Sequence, residues 1–212
     1  VPPGTAVVIG LHRRLIERAG ASARVSHAVL GDTLDGRPLD LLTVGDPGAD
    51  KKSIWTIARQ HPGESMAEWW MEGFVERLID EADPVARALL SKAVVYVVPN
   101  MNPDGTERGH LRTNAAGENL NRAWRQPSAE KSPEVLYVRD HMHRTGVDFC
   151  MDVHGDEALP VNFLAGYYGI PDLAPGHIKR FESFKSTLAR ISPDFQTAKG
   201  YPAAPAGKGN MD

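Results

Sequence analysis

The chain has 212 residues, 42% of them apolar and 24% charged, with a net charge of -3. That is ordinary globular composition, enough for one domain with a sizeable core or one domain and part of another. Acids and bases are interspersed, so no charge block marks a nucleic-acid or membrane footprint, and no apolar run approaches the roughly 20 residues of a transmembrane helix. The single cysteine, Cys150, excludes an intrachain disulfide and favours a reducing, cytoplasmic compartment. The N-terminal VPPGTAVVIG lacks the basic-then-apolar pattern of a signal peptide. It does not begin with Met, and the chain ends in a Gly/Pro/Ala loop, AAPAGKGNMD; a fragment of a longer polypeptide is expected.

Residues 5–19 read as an amphipathic helix with Val8, Leu11, Leu15 and Ile16 on one face and Gly20 at its end. Val25 to Leu30 is a short strand, Asp35-Gly36 a hairpin-type turn, and Pro38 to Val44 the returning strand. After a polar loop, Ser53 to Ala58 is a buried-strand run, and a helix is expected over 65–81, with Met66, Trp69, Trp70, Phe74 and Leu78 near one stripe. Asp83-Pro84 starts a second short helix as N-cap and first-turn proline. Ala93 to Val98 (AVVYVV) is apolar on both parities, as a central strand buried on both faces should be. Residues 99–128 are rich in Asn, Gly, Pro and Arg and show little periodicity, which marks a long functional loop. Ser132-Pro133-Glu134 opens a helix through about His143, residues 147–153 form another strand ending at His154-Gly155, and residues 177–191 form an amphipathic helix. Strands alternating with helices predict an α/β fold with a parallel or mixed sheet, whose site lies beyond the carboxyl ends of its strands.

Two histidines sit just past such ends. In ARQHPGESMAEWW, residues 58–70, His61 and Glu64 are three apart where an apolar run stops and a helical pattern begins. On one face of a first turn they can offer an imidazole nitrogen and a carboxylate to one metal ion, and His154 is the natural third ligand. Three protein ligands leave one position open, the arrangement of a zinc hydrolase, where the ion lowers the pKa of a water and polarises a scissile carbonyl.

With RQHPGES (59–65), VVPNMNPDGTERGHLRTNAAGENLNRAW (97–124) and DVHGDE (152–157) in this order, the chain resembles the M14 zinc carboxypeptidases, within them the cytosolic carboxypeptidase-like branch. The resemblance covers roughly residues 25–165. It implies the carboxypeptidase α/β fold, a twisted mixed sheet with helices on both faces, and one zinc ion held by His61, Glu64 and His154. It also makes Arg112, in GHLR, the cation that polarises the scissile carbonyl and holds the oxyanion, and Asn121 with Arg122, in NLNR, the grip on a substrate's terminal carboxylate. These roles suit the chemistry of a guanidinium fork and a directional amide. The implied substrate is a peptide or protein C-terminus; the branch hints at acidic terminal residues, and nothing calls for nucleic acid or membrane.

Two departures from the family pattern stand out. Asn119 replaces an Asp that often opens Asp-Leu-Asn-Arg, so local hydrogen bonding should change while the clamp persists. The family's general-base Glu falls past Asp212. The chain is then either an incomplete catalytic domain, with 1–24 a helix or connector from a small β domain and 25–212 the catalytic part, or a silent binding module. An N-acyl amino acid deacylase of related fold is the enzymatic alternative.

Several residues are expected to do less. Asn102-Pro103-Asp104-Gly105 reads as a turn that aims the arginine loop. Arg59, Arg108 and Arg125 read as solvated or rim charges, His141 and His143 as solvated, Trp55, Trp69 and Trp70 as core, and Cys150 as buried. Asp152 either supports His154 from behind or only ends its strand.

Overall fold

Strands β1 (Val25–Asp32), β2 (Pro38–Val44), β3 (Lys52–Ala58), β4 (Ala93–Val98) and β5 (Phe149–Val153) form one sheet in the order β1-β2-β4-β3-β5. β1–β2 and β2–β4 are antiparallel; β4–β3 and β3–β5 are parallel, so the sheet is mixed. The helices are α1 (Pro3–Gly20), α2 (Met66–Ile79), α3 (Pro84–Leu90), α4 (Pro103–Arg108), α5 (Pro133–Thr145) and α6 (Pro175–Ile191). This computed structural model describes residues 3–171 and 173–206, without the side chains of 3–9. The expected contribution of Val8 to the first helix face, and the final GKGNMD, therefore lie outside the described residues. Two compact units divide the chain, Val1–Gly155 and Asp156–Asp212.

In the first unit, strand alternation sorts the core into two layers. Leu42, Val44, Val95, Val97 and Ala58 face one way and pack with Leu15 and Ala19 of α1 and with Ala67, Met71, Val75 and Leu78 of α2. Leu39, Leu41, Trp55, Ile57, Val94, Tyr96 and Val98 face the other way, against Val135 and Val138 of α5. Helices thus cover both faces, and β4 is buried at all six positions, as its two-parity apolar run requires. Asp35-Gly36 makes the β1–β2 turn, with Gly36 at φ +73° and its N–H donating to the Thr33 carbonyl.

Four expectations fail in instructive ways. The core stripe of α2 is Ala67, Met71, Val75 and Leu78, while Met66, Trp69 and Trp70 are 48%, 49% and 42% exposed. Adjacent tryptophans cannot both face one sheet from a helix, and the smaller stripe is the one that packs on it. The Asn-Pro-Asp-Gly turn is instead the start of α4: Asn102 Oδ1 accepts from Gly105 N at 3.0 Å, Pro103 opens the helix, and Gly109 closes it at φ +70°. Cys150, expected to be buried, is exposed on β5, which pairs only with β3 among the described residues. His141, expected to be solvated, is half-buried, edge-on to Trp55 and Tyr96.

Charges are buried too. Asp104, fully buried, accepts from Thr33 Oγ1 at 2.7 Å, Asp35 N at 3.0 Å and Arg37 Nη1 at 3.1 Å, pinning α4 to the β1–β2 turn. Glu134, also fully buried, faces Asn114 Nδ2 at 3.2 Å, and burial pushes its carboxyl up to about 7. A carboxyl whose pKa rises on folding contributes stability below its unfolded pKa, and that stability is lost as pH climbs through the folded value. Glu134→Gln should therefore reduce the fall in unfolding free energy between pH 5 and pH 8 by about 2–3 kcal/mol. Denaturant titrations at the two pH values measure it.

The second unit contains α6, none of whose residues is buried, and a single parallel bridge between Asn162 and Phe195. Tyr167 and Tyr168 set their rings edge-on to Phe181, at 5.7 and 5.9 Å. Among the described residues no helix is long and apolar enough to cross a membrane.

Candidate metal centre

β3 and β5 are parallel neighbours in register to their last residues, Ala58 opposite Val153. The segments that leave them, 59–64 and 154–155, therefore start side by side at the carboxyl edge of the sheet, where α/β proteins place their sites. The Arg59 N–H donates to the Val153 carbonyl at 3.3 Å across that point. His61 and Glu64 do not lie in a helical turn as expected. They close a turn just before α2, with Glu64 N donating to the His61 carbonyl at 3.1 Å.

The turn is held from outside by two contacts. Gly63 N donates to the Leu111 carbonyl at 2.9 Å, and a Cβ on Gly63 would meet Leu111 Cδ1 at 2.7 Å and that carbonyl at 2.9 Å. Only glycine lets the arginine loop come this close. From the other side Arg59, expected as a rim charge, is buried at φ 59°, donates to the Pro62 carbonyl at 3.0 Å (Nε) and 2.8 Å (Nη2), and pairs with buried Glu68. An uncommon left-handed backbone for a non-glycine residue is sustained here by three anchoring bonds.

The predicted ligands converge. One ligand atom from each of His61, Glu64 and His154 lies within 4.8 Å of the others. Glu64 sits between the imidazoles, Oε1 2.7 Å from His61 Nδ1 and Oε2 2.8 Å from His154 Nδ1, and Gly155 N donates to Oε2 at 2.9 Å. Burial opposes the Glu64 charge, but the bonds from His154, His61 and Gly155 outweigh it and hold its pKa at about 2. His154 has the complementary balance: burial opposes its protonation, while bonds to Asp152 and Glu64 raise it to about 9. The carboxylates that raise its affinity for a proton also favour a divalent cation.

Each imidazole is oriented from behind through Nε2. His61 Nε2 donates to Asn119 Oδ1 at 3.0 Å, and the Asn121 N–H on the same oxygen, 3.2 Å away, fixes which end of the amide faces the ring. His154 Nε2 donates to Asp152 Oδ2 at 2.7 Å. With Nε2 engaged from behind, each ring presents Nδ1 to Glu64; the proton it shares there in the metal-free site is the one a bound metal ion would replace. Two imidazole nitrogens and one carboxylate, with outer acceptors in place, fit a zinc ion with bonds of about 2.0–2.2 Å and a fourth position open.

Asn119 therefore keeps an acceptor on His61 where the family often has a carboxylate. Asn121 is half-buried, and Arg122 is exposed with Nη1 on the Asn121 carbonyl at 2.8 Å. Both belong to the 3-10 turn Leu120–Arg122, whose N-cap is Asn119. Arg112, exposed, follows Leu111, the residue bonded to Gly63. The three predicted substrate contacts thus ride on segments hydrogen-bonded directly to the ligand turn. Gln60 was passed over by sequence reasoning. The only hint in the sequence was a polar residue between a strand and a candidate ligand; in the fold it is 1% exposed.

The sequence model of the zinc carboxypeptidase family matches residues 16–167. An uncharacterized protein of Zymomonas mobilis is 56% identical over 200 residues, 94% of this chain and 52% of its own length. A metallo-carboxypeptidase of Pseudomonas aeruginosa, solved with (2-guanidinoethylmercapto)succinic acid, is 48% identical with a TM-score of 0.88 over 94% of this chain and 53% of that one. Cytosolic carboxypeptidase 4 of Mus musculus is 33% identical over 183 residues, 77% of this chain and 16% of its length. The chain spans about half the length of these bacterial relatives. With the family model covering most of the sheet and both ligand motifs, this chain belongs to the zinc carboxypeptidase family.

Proposed function

We propose that the chain carries the metal-binding part of a zinc metallocarboxypeptidase that hydrolyses C-terminal residues of peptides or proteins. The observation that carries this is the convergence of His61, Glu64 and His154 beyond two adjacent parallel strands, with the arginine-bearing loops bonded to the same turn. When bound, zinc would activate water and polarise the scissile carbonyl. Arg112 neutralises charge that develops on the carbonyl oxygen, while Asn121 and Arg122 bind the terminal carboxylate and so select a free C-terminus. Residues 25–212 are assigned to the catalytic domain, with 1–24 leading into it. A cytoplasmic setting is favoured by the single cysteine and by the likeness to cytosolic carboxypeptidases.

His61→Ala removes one ligand and leaves Glu64 with one imidazole. Zinc should be lost from the purified protein, and peptide hydrolysis with it. Retained activity in metal-free protein would overturn the assignment.

A further inference from the structure

The acceptors behind the two imidazoles lead back to one short segment. Asn119, at its start, holds His61. Trp124, at its end, donates from Nε1 to Gln60 Oε1 at 2.8 Å; Gln60 Nε2 then donates to Asp152 Oδ2 at 2.5 Å. That oxygen is the one that receives His154 Nε2 at 2.7 Å. An indole N–H can only donate, so it fixes the Gln60 amide with its oxygen toward Trp124 and its nitrogen toward Asp152. Residues 119–124 thus grip His61 at one end and, through Gln60 and Asp152, His154 at the other, and Asn121 and Arg122 lie between the two grips.

A buried amide is costly unless both of its ends are paired, and an apolar side chain would fill the same space without that demand. Gln60 is 1% exposed, its main-chain carbonyl is already used by Asn102 Nδ2 at 3.0 Å, and each end of its side chain meets a partner that leads to the metal site or the clamp. Trp124 packs on the core layer of β3 and β4, so its ring has a packing role that its N–H does not serve.

We infer that Gln60 and Trp124 are positioning residues of the metal centre, tying the turn that bears Asn121 and Arg122 to the carboxylate that orients His154. This rests on the zinc carboxypeptidase reading of the site. The metal-ligand geometry and the carboxylate clamp are then set by one hydrogen-bonded chain, and loosening it at the indole is felt at the third ligand.

The test compares zinc affinity, by competition with a chelator, and the thermal midpoint of the metal-free protein in the full chain. Gln60→Met and Trp124→Phe keep the bulk and remove the link. Each should weaken zinc binding roughly tenfold, the scale of outer-partner losses at metal sites, while the metal-free midpoint stays near that of the wild type. Gln60→Glu sets two carboxylates against each other and should weaken zinc further. If Trp124→Phe fails to fold, the Gln60→Met and Gln60→Glu results decide.

Unchanged zinc affinity in Gln60→Met would overturn the inference. So would losses that merely follow the metal-free midpoint. His61→Ala separates the two levels. If it loses zinc while Gln60→Met does not, only the inference falls; if wild type itself binds none, the reading of the site falls with it.

Discussion

Arg59→Met lowers folding stability by about 3–5 kcal/mol, because it leaves the Glu68 carboxylate buried without its cation. Arg59 is 4% exposed and Glu68 fully buried. Besides that pair, the guanidinium holds the Pro62 carbonyl through two nitrogens, so the turn between the first two ligands loses its inner anchor as well. His12 offsets part of the loss: burial opposes its protonation, but Asp40 and Glu68 raise its pKa to about 9, and its Nδ1 is 3.5 Å from Glu68 Oε1 while Nε2 engages Asp40 at 2.8 Å. For a chain of this size the loss corresponds to a fall in thermal midpoint of roughly 6–20 °C. Arg59→Met combined with Glu68→Met removes both charges and should recover much of it, since apolar replacement of a whole buried pair is often neutral. Thermal or denaturant unfolding of the wild type and the two variants decides; a loss under about 1 kcal/mol in Arg59→Met would show that the pair carries little.

The second large effect is on rate, and it separates two arginines by kinetics. Both Arg112 and Arg122 are exposed, so their removal costs little stability. In the proposed centre Arg112→Met withdraws a cation needed only as charge develops on the carbonyl oxygen, and kcat should fall by about 10²–10³ with KM nearly unchanged. On the same proposal Arg122→Met withdraws a contact made to the substrate carboxylate before and during reaction. KM should rise by roughly 10–100-fold, the range of a charge-assisted hydrogen bond of about 1.5–3 kcal/mol, with a smaller change in kcat. Steady-state kinetics on a peptide with a free C-terminus tests both. The same pattern in both variants would mean that the two cations share one role.

The parts of this architecture that were legible in the sequence are those encoded by local spacing. β4 announced itself by apolar residues on both parities, and the three metal-binding candidates by their places after β3 and β5. The rest depends on partners distant along the chain. Nothing in the sequence pairs Arg59 with Glu68, or Asp104 with Thr33 and Arg37, so buried charges looked like solvated ones. α2 carries two apolar stripes, and local periodicity did not show which one faces the sheet. The residues that open α4 as N-cap and N1 proline are the same types that open a β-turn, and six residues are too few for a stripe to distinguish them. Gln60 illustrates the limit most clearly, because each of its side-chain partners, Trp124 and Asp152, is placed only by the finished fold.

The most direct test is hydrolysis of one peptide offered either with a free C-terminal carboxylate or as its C-terminal amide, by the full-length protein before and after chelation and zinc addition. The proposed centre predicts release of the terminal residue from the free acid alone, loss of that activity on chelation, and its return with zinc. Equal cleavage of the amide would remove the roles of Asn121 and Arg122. Failure to cleave either peptide with zinc bound, or cleavage only of N-acyl amino acids, would contradict the carboxypeptidase account.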